Sequence, residues 1–304
     1  MNQRLRGPLA FSYVLLVLLA ANFGASFMLT KIVVAEVPPA TIVFSRLFVA
    51  SLCVGMAMWW FRESLQPIWG SWKMIAVAGL TGNAMPFFLI AWGQERVDAG
   101  LTAILMAVMP LITIVLAHFF TGDEKLNIFK IVGFLLGLLG VAVLIGFDKL
   151  ASLGDETVRQ YSIMGGAFCY AVHAIVSKQL THLPRQAVTV AVLFVSALML
   201  LPFSLYFDQP WTLEVSTTSL WVLLILGIFP TAIGTLMLFA IVERQGAGFL
   251  SQINFLVPVF GVLWAILFVS ETLPANAVVA LLIILVGVAI ARVNPKTKPL
   301  ETAL

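Results

Sequence analysis

Long apolar runs separated by short polar stretches dominate the chain. A helix needs about 20 mostly apolar residues to cross the hydrocarbon core of a bilayer. Breaking the chain at charges, prolines and Asn/Asp/Gly clusters gives ten such runs, and none alternates with period two, so helices are favoured over a β-barrel. The predicted fold is an all-α polytopic membrane protein with ten transmembrane helices. They are placed at 9–31, 39–61, 71–92, 97–120, 127–147, 160–180, 186–207, 218–241, 246–269 and 274–292.

An internal repeat divides these spans into two sets of five. "ERVDAGLTAILMAVMP" (95–110) and "ERQGAGFLSQINFLVP" (243–258) share Glu-Arg, Ala-Gly and Pro at an offset of 148. The predicted halves are therefore 1–150 and 151–304. Because five is odd, the second half must enter the membrane from the opposite side. Inverted repeats around a central cavity suit alternating access in a transporter, although a duplication kept only for packing is the alternative.

Composition and charge narrow the class of protein further. The chain is 61% hydrophobic and 10% charged, against about 25% charged residues in soluble domains. The flanks of the spans carry 12 Lys and Arg on one side and 4 on the other, which places both termini in the cytoplasm of a multi-pass inner-membrane protein. The net charge of +3 is scattered, so no nucleic-acid partner is expected. Two isolated cysteines predict packing residues, and neither a metal nor a cofactor is expected.

Four segments resemble a known transporter family. They are "NFGASFMLTK" (22–31), "PPATIVFSRL" (38–47), "AGLTAILMAVMPLITIVLAHFFTGDEKL" (99–126) and "AGFLSQINFLVPVFGVLWAILFVSETL" (247–273). The chain is similar to the drug/metabolite transporter superfamily, in its EamA-type ten-helix branch. Glu124 and Glu271 match that family's glutamates at the start of helices five and ten, while Phe23 stands where its members often carry Trp. The resemblance implies a basket of helices around a cavity lined by spans 1, 3, 4, 6, 8 and 9, and export of amino acids, purine-type metabolites or drugs.

Polar side chains inside the spans are the candidate site, because polar groups in hydrocarbon need a partner or a water-filled cavity. The predicted substrate-binding residues are Asn22, Ser26, Asn83, Phe87, Tyr170, His173, Thr231, Ser251, Gln252 and Asn254. Gln252 and Asn254 are polar where the first repeat has Ile104 and Met106; their amides could bond an amino acid, or could join two helices. The predicted structural or gating residues are Arg46, Pro86, Pro110, Pro230 and Pro258, with Arg46 an anchor in preference to an anion site.

These features predict a secondary transporter that exports small organic solutes by alternating access. Amino acids, aromatic or apolar ones in particular, and related metabolites are the leading substrates. Drugs or nucleobase-type metabolites are the runner-up, and a channel or scaffold is the alternative from another class. No mid-span carboxylate is available to carry a proton, and His173 alone titrates near neutral pH there, so facilitated efflux is expected. The missing nucleophile–base pair and metal motif argue against an enzyme. The expected partners are a small-molecule substrate and the lipid bilayer, with the protein a monomer or weak homodimer.

Overall fold

The computed structural model describes residues 9–60, 62, 64–120, 126–146 and 154–293 of the 304-residue chain. Within these ranges the regular secondary structure is helical and no strand occurs, so the predicted all-α class is confirmed. Glu124 and both termini, whose location the charge pattern predicts, lie outside the described residues.

The helices follow the predicted order of spans closely. The first half contains α1 (Leu9–Val33), α2 (Pro39–Trp60), a 3₁₀ segment (Gln66–Ser71), α3 (Trp72–Gly79), a π-helical turn (Leu80–Ala84), α4 (Met85–Gln94), α5 (Ala99–Met106), α6 (Met109–Phe120) and α7 (Ile128–Ile145). The second contains α8 (Asp155–Lys178), α9 (Arg185–Phe203), a π-helical turn (Ser204–Asp208), a 3₁₀ turn (Pro210–Thr212), α10 (Thr217–Leu226), a π-helical turn (Gly227–Ile233), α11 (Gly234–Gln245), α12 (Ala247–Leu250), α13 (Ile253–Val269) and α14 (Ala275–Ala291).

Eight helical segments in the described part of the chain are long and apolar enough to cross a membrane. The apolar helix α14 is shorter, at 17 residues, and α8 has the length but begins with charged and polar residues. The polytopic membrane fold therefore holds, while the number of ten transmembrane spans stays a prediction.

Widened helical turns occur at matching places in the two halves. The π-helical turn Leu80–Ala84 precedes Pro86, and the turn Gly227–Ile233 contains Pro230. Proline has no backbone N–H and its ring crowds the carbonyl four residues earlier, so the helix opens locally to keep its direction. Both turns lie in the middle of long helical segments, at the depth where the sequence places candidate polar residues.

The span that contains α5 and α6 and the span that contains α12 and α13 are interrupted at different places. The first pair breaks at Ala107 and Val108, one turn before Pro110, because the proline ring would crowd the carbonyl of Met106, where α5 ends. The second pair breaks at Ser251 and Gln252, and α13 then continues through Pro258. The two repeats thus share the proline but not the interruption.

Close packing of α7 against α14 shows how the halves meet. A Cβ atom on Gly287 would lie 2.7 Å from the carbonyl oxygen of Gly133, and one on Gly140 would lie 3.0 Å from the carbonyl oxygen of Ala280. The later residue of α7 pairs with the earlier residue of α14, so the two helices run antiparallel. Outside the segments 95–110 and 243–258 the repeat aligns at an offset of 147, where "GVAVLI" (140–145) lies over "GVAIAR" (287–292). Gly140 then aligns with Gly287 and Gly133 with Ala280, so exchanging the halves exchanges the two contacts.

Candidate functional site

A buried arginine gathers side chains from four parts of the bundle. Arg46 on α2 is 7% exposed, and its Nε donates a hydrogen bond of 2.8 Å to Thr231 Oγ1 in the second-half π-helical turn. Its guanidinium carbon lies 3.8 Å from the ring centroid of Phe87 on α4. Phe87 meets the ring of Tyr170 on α8 edge to face, with centroids 6.2 Å apart. We call Arg46, Phe87, Tyr170 and Thr231 the Arg46 cluster.

The opened backbone around Pro230 explains two of the polar side chains. Pro230 cannot donate to the carbonyl of Leu226, and the hydroxyl of Thr231 donates to that oxygen instead, at 2.8 Å. Because the hydroxyl hydrogen points to Leu226, Thr231 Oγ1 is free to accept the hydrogen bond from Nε of Arg46. Nδ2 of Asn22 donates to the carbonyl of Phe229 at 2.8 Å. Asn22 and Thr231 therefore satisfy backbone groups, and Thr231 also orients the arginine.

His173 packs against the corresponding turn of the first half. A Cβ atom on Gly82 would lie 2.6 Å from Cε1 and 2.8 Å from Cγ of the imidazole, so a glycine is required beneath the ring. The Nδ1 atom of His173 is buried and has no hydrogen-bond partner among the described residues. His173 lies three residues after Tyr170, so both rings project from the same side of α8.

Several predicted polar side chains have no hydrogen-bond partner among the described residues. Asn83 and Ser26 are half-buried, and within the described ranges the Asn83 amide and the Ser26 hydroxyl donate and accept no hydrogen bond. The same holds for the amides of Gln252 and Asn254 on the second-half helices. These groups are available to water or to a solute.

Ser251 and its neighbour Phe255 contact the end of α14. Ser251 Oγ donates to the carbonyl of Gly248 at 2.8 Å, and the Ser251 carbonyl accepts a hydrogen bond from Arg292 at the end of α14. The guanidinium of Arg292 also lies 4.4 Å from the ring centroid of Phe255. No hydrogen bond or ring contact among the described residues links these side chains to Arg46.

A polar network that the sequence did not indicate closes one end of the bundle. Lys31 Nζ donates to the carbonyls of Gln94 at 2.9 Å and Val97 at 3.0 Å, and lies 3.7 Å from Asp98. The side chain of Gln94 is fully buried, and its Nε2 donates to the carbonyl of Phe27 at 2.9 Å. From sequence, Lys31 is interpreted as reaching the lipid interface and Gln94 attracts no notice. The signal that could have drawn attention to Gln94 is its amide at the end of an apolar run, directly before "ERV" (95–97).

Glu271, at the same end of the bundle, caps the start of α5. Its two carboxylate oxygens accept hydrogen bonds from the backbone N–H groups of Ala99 at 2.8 Å and Gly100 at 2.9 Å. Such bidentate capping satisfies orphan donors and places negative charge at the positive end of the helix. The equivalent residues Ala247 and Gly248 are exposed, whereas Ala99 and Gly100 are buried. We call the region of Lys31, Gln94, Ala99, Gly100 and Glu271 the sealed end.

The opposite end of the bundle is more open. A cavity of about 640 Å³ lies between the start of α9, at Pro184 to Gln186, and the end of α11, at Leu236 to Glu243. Arg185 and Glu243 approach to 3.5 Å across it. None of the predicted site residues lines this cavity, so it is an opening near the surface, separate from the Arg46 cluster. Among the described residues no group of three His, Cys, Asp or Glu side chains could hold a metal ion.

The eight long apolar helical segments in the described part of the chain place it in the class of polytopic membrane proteins. The chain belongs to the EamA-like transporter family, whose model matches residues 10–146 and 160–293. This confirms the resemblance drawn from the repeated segments.

Individual relatives are distant but cover most of the chain. An "Uncharacterized transporter", YoaV, of Bacillus subtilis is 24% identical over 88% of this chain and 91% of its own length. A "Probable amino-acid metabolite efflux pump" of Escherichia coli is 25% identical over 90% and 92%. A "Probable terminal-alkyne amino-acid exporter" of Streptantibioticus cattleyicolor is 25% identical over 87% of each chain. One solved crystal structure, 18% identical, covers 92% of this chain and 95% of its own with a TM-score of 0.65, which shows a shared fold.

Proposed function

We propose that the chain is a secondary transporter that exports small organic solutes across the inner membrane. Amino acids with an aromatic or apolar side chain, or related metabolites, are the leading substrates. The observation that carries the proposal is the set of polar side chains without protein partners, Ser26, Asn83, Gln252 and Asn254, inside an apolar bundle. These four side chains are half-buried, so water or a solute can reach them, and removing such a group from water without a partner costs about 1–3 kcal/mol.

The chemistry of the interior fits a solute with both a polar and an apolar part. Phe87 and Tyr170 offer aromatic surface, and hydroxyl and amide groups lie within the same bundle. Binding sites for small molecules combine such apolar walls with a few placed polar groups. Two relatives are named as exporters of an amino acid or of amino-acid metabolites, which supports this substrate class.

Alternating access is supported by the relation between the halves. The residues 1–150 and 151–304 are proposed as inverted repeats of five spans each, which agrees with the antiparallel contact of α7 and α14 and with the matching π-helical turns. With the termini in the cytoplasm, as the Lys and Arg distribution favours, the sealed end faces outside. The opposite end then faces the cytoplasm, from which an exporter takes its substrate.

The absence of carboxylates deep in the spans supports facilitated efflux. Two acidic residues near span ends are already bound: Glu271 caps α5, and Asp208 accepts hydrogen bonds from the backbone N–H and hydroxyl of Thr41 at 2.7 and 2.9 Å. A substrate-linked proton flux that persists in His173→Ala would contradict this part of the proposal.

Purified protein in liposomes tests the proposal directly. Vesicles loaded with one unlabelled amino acid at a time are assayed for counterflow of the labelled compound, with nucleobases as a second panel and protein-free vesicles as the control. We expect saturable counterflow for at least one aromatic or apolar amino acid. Counterflow confined to nucleobases would replace the substrate class, and non-saturable leakage would indicate a channel.

A further inference from the structure

We propose that Arg46 binds the carboxylate of the substrate, with Thr231 holding the guanidinium in position. This rests on the proposed function and names the substrate class as solutes that carry a carboxylate next to an apolar group. The sequence favours a purely structural anchor for Arg46, and the structure supplies the observations that change this interpretation.

The geometry leaves one edge of the guanidinium free. Arg46 has five N–H donors, and its single hydrogen bond to a described residue uses Nε, toward Thr231. The four N–H groups of the two terminal nitrogens are not engaged by any described residue. Those two nitrogens form the end-on fork that binds a carboxylate through two parallel hydrogen bonds. Phe87, in contact with the guanidinium, restricts its movement.

The charge of Arg46 has no carboxylate partner within the described part of the chain. Every other partner there is neutral: the hydroxyl of Thr231 and the rings of Phe87 and Tyr170. A cation inside a membrane protein is costly unless it is paired or reaches water. A structural arginine at this depth would normally use its terminal nitrogens on carbonyls or an acidic residue. A substrate carboxylate would neutralise the charge, and the adjacent aromatic rings would receive the apolar part of the solute.

The cluster also predicts selectivity against solutes that lack the acid. An amide can accept one hydrogen bond from the fork but brings no negative charge, so the desolvated cation stays uncompensated. Discrimination against a substrate analogue is strongest where it leaves buried polar groups unpaired. Arginine and lysine are not equivalent here, because only the planar guanidinium can donate to Thr231 and keep two nitrogens free.

The test compares L-phenylalanine with L-phenylalaninamide, which differ in the carboxylate alone. Affinities are measured as competition for counterflow in proteoliposomes and as ligand-induced shifts of the melting temperature in detergent. For the wild type we expect the acid to bind at least about tenfold more tightly, equivalent to about 1.4 kcal/mol. In Arg46→Gln the ratio should fall to near one, with Arg46→Lys in between.

Thr231 provides an independent variant if Arg46→Gln does not fold. Thr231→Val removes the acceptor that orients the guanidinium, and Thr231→Ser, which keeps the hydroxyl, is its matched control. The acid-to-amide ratio should fall in Thr231→Val and stay at the wild-type value in Thr231→Ser. A uniform loss of affinity for both ligands would mean that Thr231 has only a structural role, and would overturn the positioning proposal.

The remaining outcomes separate the inference from the proposed function. Equal affinity of the wild type for acid and amide, or an unchanged ratio in Arg46→Gln, overturns carboxylate binding while transport stands. Counterflow of nucleobases with no response to either phenylalanine compound overturns the amino-acid substrate class and the inference together.

Discussion

The contact between Gly82 and His173 predicts a large effect from adding one methyl group. In Gly82→Ala the new Cβ would lie 2.6 Å from Cε1 and 2.8 Å from Cγ of the imidazole, whereas ordinary contacts are 3.4–4 Å. The ring would have to retreat by about 1 Å, the difference between those values. It is packed in the bundle interior, where such space is scarce.

The expected cost follows from overpacking. Adding a methyl group to a tightly packed site costs about 1–3 kcal/mol, while replacing glycine by alanine in a helix returns up to about 1 kcal/mol. Gly55→Ala in α2 is the matched control, because its Cβ would approach only Val190 Cγ1, at 3.9 Å. The propensity gain is similar in both variants, so Gly82→Ala should be less stable than Gly55→Ala by about 1–3 kcal/mol.

The free energy of unfolding can be measured by reversible SDS titration in mixed micelles, with tryptophan fluorescence as the signal. The double variant Gly82→Ala/His173→Ala should recover most of the difference, because the ring that obstructs the methyl group is gone. Equal stabilities of Gly82→Ala and Gly55→Ala, or no recovery in the double variant, would refute the packing described here.

Three further predictions concern the sealed end and a loop contact. Glu271→Ala should lower the unfolding free energy by about 0.5–2 kcal/mol, as for other lost helix caps, and Glu271→Gln by less, since it keeps one acceptor; equal losses would argue against a capping role. Lys31→Met leaves the carbonyl of Gln94 without its hydrogen-bond donor. In a cysteine-free background that carries Ala99→Cys, this variant should therefore react faster with an impermeant maleimide than the same protein with Lys31. An unchanged rate would show that Lys31 does not hold this end closed. The backbone N–H of Ser216, with the hydroxyls of Ser216 and Ser219, lowers the pKa of Glu36 below its ordinary 4.5. A lowered pKa of a carboxylate stabilises the folded protein above the unfolded pKa, and this stabilisation is lost as the pH falls through the folded pKa. The melting temperatures of wild type and Glu36→Gln should therefore differ at neutral pH and converge as the pH falls below the ordinary value of 4.5 and through the lowered pKa; a constant difference would contradict the contact.

The sequence was sufficient for the fold because lipid imposes a simple rule. Backbone groups in hydrocarbon must be paired internally, so each long apolar run had to be a helix. The largest departure among the spans was α8, which begins at Asp155 where the expected start was residue 160. The first turns of that helix contain charged and polar residues, and Asp155 and Glu156 stabilise its N-terminus through the helix dipole. A rule based on apolar residues alone places the start of the helix too late.

The site was less predictable because pairing across distant helices leaves no local signal. The residue types at the centre could be recognised as polar groups in apolar runs, but the sequence does not show that Arg46 meets Thr231, 185 residues away. Gln94 was missed for the opposite reason: its neighbours Glu95 and Arg96 make it look like part of a loop. The role predicted for Ser251, Gln252 and Asn254 stays a prediction.

Two contacts of the Arg46 cluster bear on mechanism, because each of them joins one proposed half to the other. Arg46 and Phe87 belong to the first half, and their partners Thr231 and Tyr170 to the second. Substrate sites in transporters built from inverted repeats lie at the interface of the repeats, because that is where relative motion changes access. At the repeat offset of 147, Arg46 aligns with a buried leucine, so only one side of this interface presents a cation. A carboxylate bound there would be held by the first half through Arg46 and oriented by the second through Thr231, so that movement between the halves must alter its binding.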